Sequence, residues 1–242
     1  MSPLALSTLT TALALSVQNS SSGLSLFNES EYVSRLERWE AIASTLFVET
    51  AAQSTCNHDM RSTLPACTQL GSMWCWATAT ASFTEYYKAS GPAQCHGLEC
   101  QIVSWCPKPP HCSSSKAQCC PLDSHKECGA DGATYTMIVE AATHFTGRKH
   151  SDHGGPMSQA ELDAKLQAGK PIMMLVGAGA SATHVVWVRG CGGGKYYFWD
   201  PEWSSSHGGV YPPGSDVRSY SELLTYKYPN GYVLKWLDTI SA

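Results

Sequence analysis

Apolar positions in the first two thirds of the chain recur at helical spacing. Tyr32, Leu36, Trp39, Ala43 and Leu46 fall at i, i+4, i+7, i+11 and i+14, one face of an amphipathic helix from Asn28 to about Ala52. Asn28 followed by Glu31 marks its start. A second helix is predicted to begin at or just before Cys75. Trp76, Thr80, Phe83 and Tyr87 form its buried stripe, Thr78, Ser82 and Glu85 face water or a cleft, and Gly91-Pro92 stops it. Cysteine-rich loops are expected from there to about Gly132. A third helix is expected over Ala133 to Phe145, with Tyr135, Ile138, Ala142 and Phe145 on one face. Ser158-Gln-Ala-Glu161 has the form of a capping box and opens a short helix that carries Leu162 and Leu166 and stops at Gly169.

Beyond that point the period changes from helical to strand-like. Pro171 to Val176, Thr183 to Arg189, Tyr196 to Trp199 and Gly231 to Leu237 read as short strands. Gly177-Ala-Gly179 and Gly192-Gly-Gly194 supply tight loops between them, which favours antiparallel pairing. The expected fold class is therefore α+β, with a helical, disulfide-rich first lobe and an antiparallel β-rich second lobe. The expected division is a leader or linker over 1–27, the N-terminal helix over 28–54, the helical lobe over 55–154 and the β-rich lobe over 155–242. The N-terminal helix is either a removable pro-segment or a packed part of the fold, and the second is favoured. No internal repeat is evident.

Composition narrows the class. With 242 residues, a net charge of -4 and only 15% charged residues, the chain has no basic run to hold nucleic acid or an anionic membrane. Apolar runs such as Ile172 to Val176 are too short to span a bilayer. Eleven cysteines, nine of them between Cys67 and Cys128, are a heavy load for a reducing compartment. The absence of any Cys-x-x-Cys pair favours disulfides over a zinc cluster. Setting Cys75 aside as a free thiol leaves ten cysteines, enough for five bridges. An oxidised protein implies a secreted or lumenal location. The apolar stretch Leu4 to Val17, with Ala12-Leu-Ala14 as a cleavage site, is a weak leader because no Lys or Arg precedes it. Asn19-Ser-Ser21 and Asn28-Glu-Ser30 fit the glycosylation pattern.

Four residues carry candidate chemistry, in the order Gln69, Cys75, His184 and Asp200. A thiol at a helix N-terminus faces the positive end of the macrodipole, which favours thiolate. Taken alone, Cys75 is as readily half of a disulfide, His184 a structural histidine opening a strand, and Asp200 a turn residue before Pro201. Together they change meaning. Antiparallel strands joined by the glycine hairpin bring the start of one beside the end of the next, where His184 and Asp200 stand. A carboxylate there orients an imidazole and stabilises its cation. Gln69, six residues before the thiol, can donate its side-chain amide to an oxyanion together with the Cys75 backbone N–H. These are the parts of acyl transfer through a thioester.

Gln69-x5-Cys75-Trp76-Ala77 with His184 and Asp200 resembles the papain-like cysteine peptidase superfamily. It is most similar to the branch with Asp as third residue, which includes bacterial secreted effector and leader-processing peptidases. The resemblance covers about Thr68 to Pro201. It implies a two-lobe fold with the active site in the cleft between, peptide-bond hydrolysis, and roles for Cys75 as nucleophile, His184 as base, Asp200 as orienting group and Gln69 as oxyanion donor. The expected partner is a protein or peptide substrate, the expected state a monomer, and no cofactor or metal is implied. Two rivals remain: another Cys-His-Asp acyl transferase, of the transglutaminase or arylamine acetyltransferase kind, and a catalytically inactive secreted binding module stabilised by disulfides.

Overall fold

The strand-like second half of the chain pairs into one sheet whose last strand is an interior one and not an edge. The computed structural model describes residues 29–46, 54–70, 73–88, 95–105, 133–179, 182–202, 217–227 and 233–242. Its strands are β1 (His58–Asp59), β2 (Ser151–Asp152), β3 (Ile172–Gly179), β4 (Ala182–Gly192), β5 (Lys195–Trp199), β6 (Val217–Arg218), β7 (Thr225–Lys227) and β8 (Val233–Ser241). All pairings are antiparallel, in the order β2-β8-β3-β4-β5-β6, with β1 added to β4 and β7 to β8. The fold class is α+β.

The four strands expected from alternation are present; β4 is longer at both ends, β5 gains one residue, and β3 and β8 start later and run past the expected ends. The two-residue strands β1 and β2 come from the span assigned to the helical lobe, so the lobes share sheet hydrogen bonds. A bulge in β4 between Val188 and Cys191 carries Gly190, whose φ of 133° favours glycine. Any side chain there would run into the carbonyl of His58 on the paired strand. The Cys56–Cys191 disulfide fastens the same junction.

The sheet curls on itself. β7 is separated from β5 by three strands along the hydrogen-bonded path, yet the rings of Phe198 and Tyr226 lie with centroids 4.9 Å apart. The enclosed core includes Val186, Val188, Tyr196, Phe198 and Trp236, all fully buried.

The helices are α1 (Glu29–Leu46), α2 (Cys75–Lys88), α3 (Cys95–Trp105), α4 (Tyr135–Thr146), α5 (Gln159–Gln167) and α6 (Tyr220–Leu224). Helix α2 packs between α3, α4 and β4 and is buried on every side from Cys75 to Thr84. That corrects the expectation that Thr78 and Ser82 face outward. The threonines tolerate burial because their hydroxyls bond back along the helix, Thr78 to the Trp74 carbonyl, Thr80 to Trp76 and Thr84 to Thr80. Helix α3 stands where loops were expected; it buries Glu99, Cys100, Ile102 and Val103 and is pinned by the Cys67–Cys95 disulfide. The capping box of Ser158 and Glu161 forms as expected, and Ser219 with Glu222 forms a second one ahead of α6.

Helix α1 lays Leu36, Trp39 and Ile42 on the core. It also inserts Arg35, whose Nε donates to Asp238 of β8 at 2.5 Å, with Asp152 at 3.5 Å and the Tyr135 ring beneath the guanidinium. Trp39 Nε1 donates to the Leu224 carbonyl. No described helix is long and apolar enough to cross a membrane. The proposed leader, the Asn19 glycosylation triplet, Asn28 of the second one and the five cysteines from Cys106 to Cys128 lie outside the described residues.

Candidate active site

Cys75 opens α2. The Thr78 N–H donates to the Trp74 carbonyl at 2.9 Å, so Trp74 accepts the first intrahelical bond and Cys75 is the first residue of the helix. The N–H groups of that first turn have no carbonyl behind them in the helix and are open to an anion. Cys75 is in no disulfide and is 8% exposed. Its Sγ lies 3.4 Å from the N–H of Val185, so the sulfur faces the strand that carries His184.

Strand register brings His184 and Asp200 together. Val188 pairs with Phe198, and sheet alternation puts His184, Val186, Val188, Phe198 and Asp200 on one face. His184 Nε2 and Asp200 Oδ1 are 2.7 Å apart. That contact leaves Nδ1 for Cys75, which together with Asp200 favours the imidazolium. Burial works against the imidazolium, but the charges and hydrogen bonds of Asp200 and Cys75 outweigh it and raise His184 well above its ordinary value. Burial likewise pushes Asp200 up, and the His184 cation, the Glu202 N–H and the Tyr226 hydroxyl together hold its carboxyl below the usual range. The Tyr226 hydroxyl donates to Asp200 Oδ2 at 3.0 Å and the Glu202 N–H to Oδ1 at 2.9 Å.

Gln69 lies ahead of the helix that Cys75 opens, and its backbone N–H donates to the carbonyl of Pro201 at 3.0 Å. The loop is therefore tied to the residue that follows Asp200. Trp199 Nε1 adds a second tie to the Cys67 carbonyl at 2.7 Å. The structure thus gathers Cys75, His184 and Asp200 into one buried line and anchors the backbone of Gln69 beside its far end.

Two residues of this neighbourhood escape a reading of the sequence. Tyr226 stands in a three-residue strand with no recognisable motif, and only the curl of the sheet brings it to Asp200. Glu99 is fully buried in α3, and its Oε1 accepts from the Leu70 N–H at 3.0 Å and the Thr78 hydroxyl at 2.8 Å. Burial pushes its carboxyl up to about 7, against the pull of those two bonds. Among the described residues, no group of three or more His, Cys, Asp and Glu side chains could hold a metal ion.

No protein-family model matches the chain, and no curated protein matches it. Among solved structures, a Bacillus anthracis chain described as a candidate C39-like peptidase aligns over 76% of this chain and 96% of its own, at 13% identity and a TM-score of 0.41. A likeness that slight carries no function across.

Proposed function

We propose that this protein is a papain-like cysteine peptidase that hydrolyses peptide bonds through a thioester acyl-enzyme. The observation that carries the reading is the continuous line from Cys75 through His184 to Asp200, buried and closed behind by Tyr226. A lone buried cysteine or a structural histidine needs no such line.

The proposed roles follow from the contacts. The proton of Cys75 passes to His184 Nδ1, and the thiolate attacks the peptide carbonyl carbon. The carbonyl oxygen becomes an oxyanion, which the Cys75 N–H and the Gln69 side-chain amide stabilise. The tetrahedral adduct collapses as the C–N bond breaks, and His184 gives its proton to the departing amine. Water then enters, loses a proton to the neutral imidazole and attacks the thioester, releasing the carboxylic acid and restoring the thiol. Asp200 accepts from Nε2–H throughout, holding the ring so that Nδ1 faces sulfur, and Tyr226 holds Asp200.

Digestion of a peptide library with wild type and Cys75→Ala tests the proposal. New termini that appear with wild type and vanish with Cys75→Ala support it. No cleavage by a folded wild type sinks it. Transfer to added amines in place of water would instead favour the acyl-transferase rival.

A further inference from the structure

Between Gln69 and Cys75 the chain must hold an oxyanion donor and a nucleophile at a fixed separation, although they lie on a loop and a helix. One buried atom joins the two. Glu99 Oε1 accepts from Leu70, the residue after Gln69, and from Thr78, in the first turn of the helix that Cys75 opens. Thr78 Oγ1 is also 2.9 Å from the Trp74 carbonyl, so the same contact reaches the residue before the nucleophile. The loop is tied on its other sides by Cys67–Cys95 and by Gln69 N–H to Pro201. Cys95 stands one helical turn before Glu99, so α3 grips the loop twice. The second carboxyl oxygen, Oε2, is buried and accepts no hydrogen bond among the described residues. A purely structural site at this position is met more cheaply by an apolar side chain, since a carboxyl out of water is costly unless its bonds are needed.

We propose that Glu99 is a positioning residue that fixes the Gln69 loop against the first turn of the Cys75 helix, and so sets the distance between oxyanion donor and thiol. Its catalytic consequence rests on the peptidase reading above. Because burial raises the carboxyl to about 7, a neutral amide of the same shape is a close stand-in for it over the acid half of the working range.

The test compares Glu99→Ala with Glu99→Gln, whose amide oxygen still accepts from both donors. Four quantities are read: kcat and KM on a peptide substrate, the rate of Cys75 alkylation by iodoacetamide, and hydrogen exchange at the Leu70 amide. Glu99→Ala should lower kcat by about 10-fold or more, leaving KM and alkylation within about 2-fold, because misplacing an oxyanion donor costs the transition state and not substrate binding. Exchange at Leu70 should rise by at least about 10-fold as its acceptor is lost. Glu99→Gln should restore both to within about 3-fold of wild type. Unchanged kcat or unchanged Leu70 exchange in Glu99→Ala overturns the proposal, as does a Glu99→Gln as impaired as Glu99→Ala. If Glu99→Ala does not fold, Thr78→Val removes one of the two donors. A wild-type kcat and wild-type exchange in that variant count against the proposal equally, and a loss of kcat at constant KM supports it. A wild type that cleaves no peptide removes the peptidase reading, while the exchange data still decide whether Glu99 holds the loop.

Discussion

The backbone N–H of Val185 points at the sulfur of Cys75 across 3.4 Å, one residue beyond His184. Cys75 is thus fixed from two directions, its backbone by the start of a buried helix and its sulfur by the backbone of a strand. Iodoacetamide under non-reducing conditions should alkylate Cys75 ahead of every other cysteine, and peptide mass mapping should locate the adduct there. Recovery of Cys75 in a mixed or native disulfide would remove it as nucleophile.

Within the line of three, His184→Ala should be the most damaging change, because it removes both base and acid. Asp200→Asn keeps an acceptor for Nε2–H and should retain more activity than Asp200→Ala. Tyr226→Phe removes one hydrogen bond to Asp200, a contribution of about 1 kcal/mol, so kcat/KM should fall by about 5-fold. Steady-state kinetics on one peptide substrate, with circular dichroism to confirm folding, rank the four variants. A harmless His184→Ala would break the assignment.

The pH dependence follows from the raised imidazole. His184 is ordinarily half-protonated near 6.5 and lies well above that here. The stability contributed by its cation is fully present below about 6.5 and is lost as pH rises through the raised value. The alkaline limb of kcat/KM should therefore lie well above 6.5. Asp200→Asn removes the largest of the favourable contributions, so its limb should move to lower pH. An alkaline limb that stays fixed in Asp200→Asn would dissociate Asp200 from the titration of His184.

Arg35 and Asp238 make a prediction about stability. Removing one partner of a buried ion pair leaves an uncompensated charge and costs about 3–5 kcal/mol, so Arg35→Ala should lower the urea midpoint sharply. Burial pushes Asp238 up to about 6, Asp152 adds to the shift, and Arg35 opposes it. The folded protein then binds this proton more tightly than the unfolded chain, whose carboxyl titrates near 3.8. That contribution is complete below about pH 3.8 and is lost as pH rises through about 6. Asp238→Asn should flatten the dependence of stability on pH between those limits. A slope unchanged by the substitution would show that other groups set it.

The two disulfides should separate stability from activity. Cys56–Cys191 spans 135 residues and Cys67–Cys95 spans 28, which by loop entropy correspond to about 5 and about 3.5 kcal/mol. Paired serine substitutions at 56 and 191 should cost more in melting temperature. The pair at 67 and 95 should cost more in kcat, because it frees the loop that carries Gln69. Equal effects on kcat would place that loop's order elsewhere.

Much of this is legible in the sequence. Apolar spacing located α1, α2, α4 and α5, alternation located β3, β4, β5 and β8, and the glycine hairpin placed His184 against Asp200. What escaped has a common cause. Helix α3 contains Gly97 and two cysteines, so its apolar period is weak, and burial with a disulfide holds what propensity does not. Thr78 looked like a surface residue because sequence does not reveal a hydroxyl bonded to its own helix. Arg35 sat beside a predicted apolar stripe, and nothing local announces the Asp238 waiting 203 residues later. Tyr226 and Glu99 act through contacts set by the curl of the sheet and the packing of α3, relationships between distant segments that no short window contains.

The position of β8 decides how far a local defect can travel. The strand sits between β2 and β3, and β7, which pairs with its Val233–Lys235 end, holds Tyr226 against Asp200. Fraying of that end of β8 would therefore be felt at Asp200 through the short strand it carries, a lever whose two arms lie far apart in the chain.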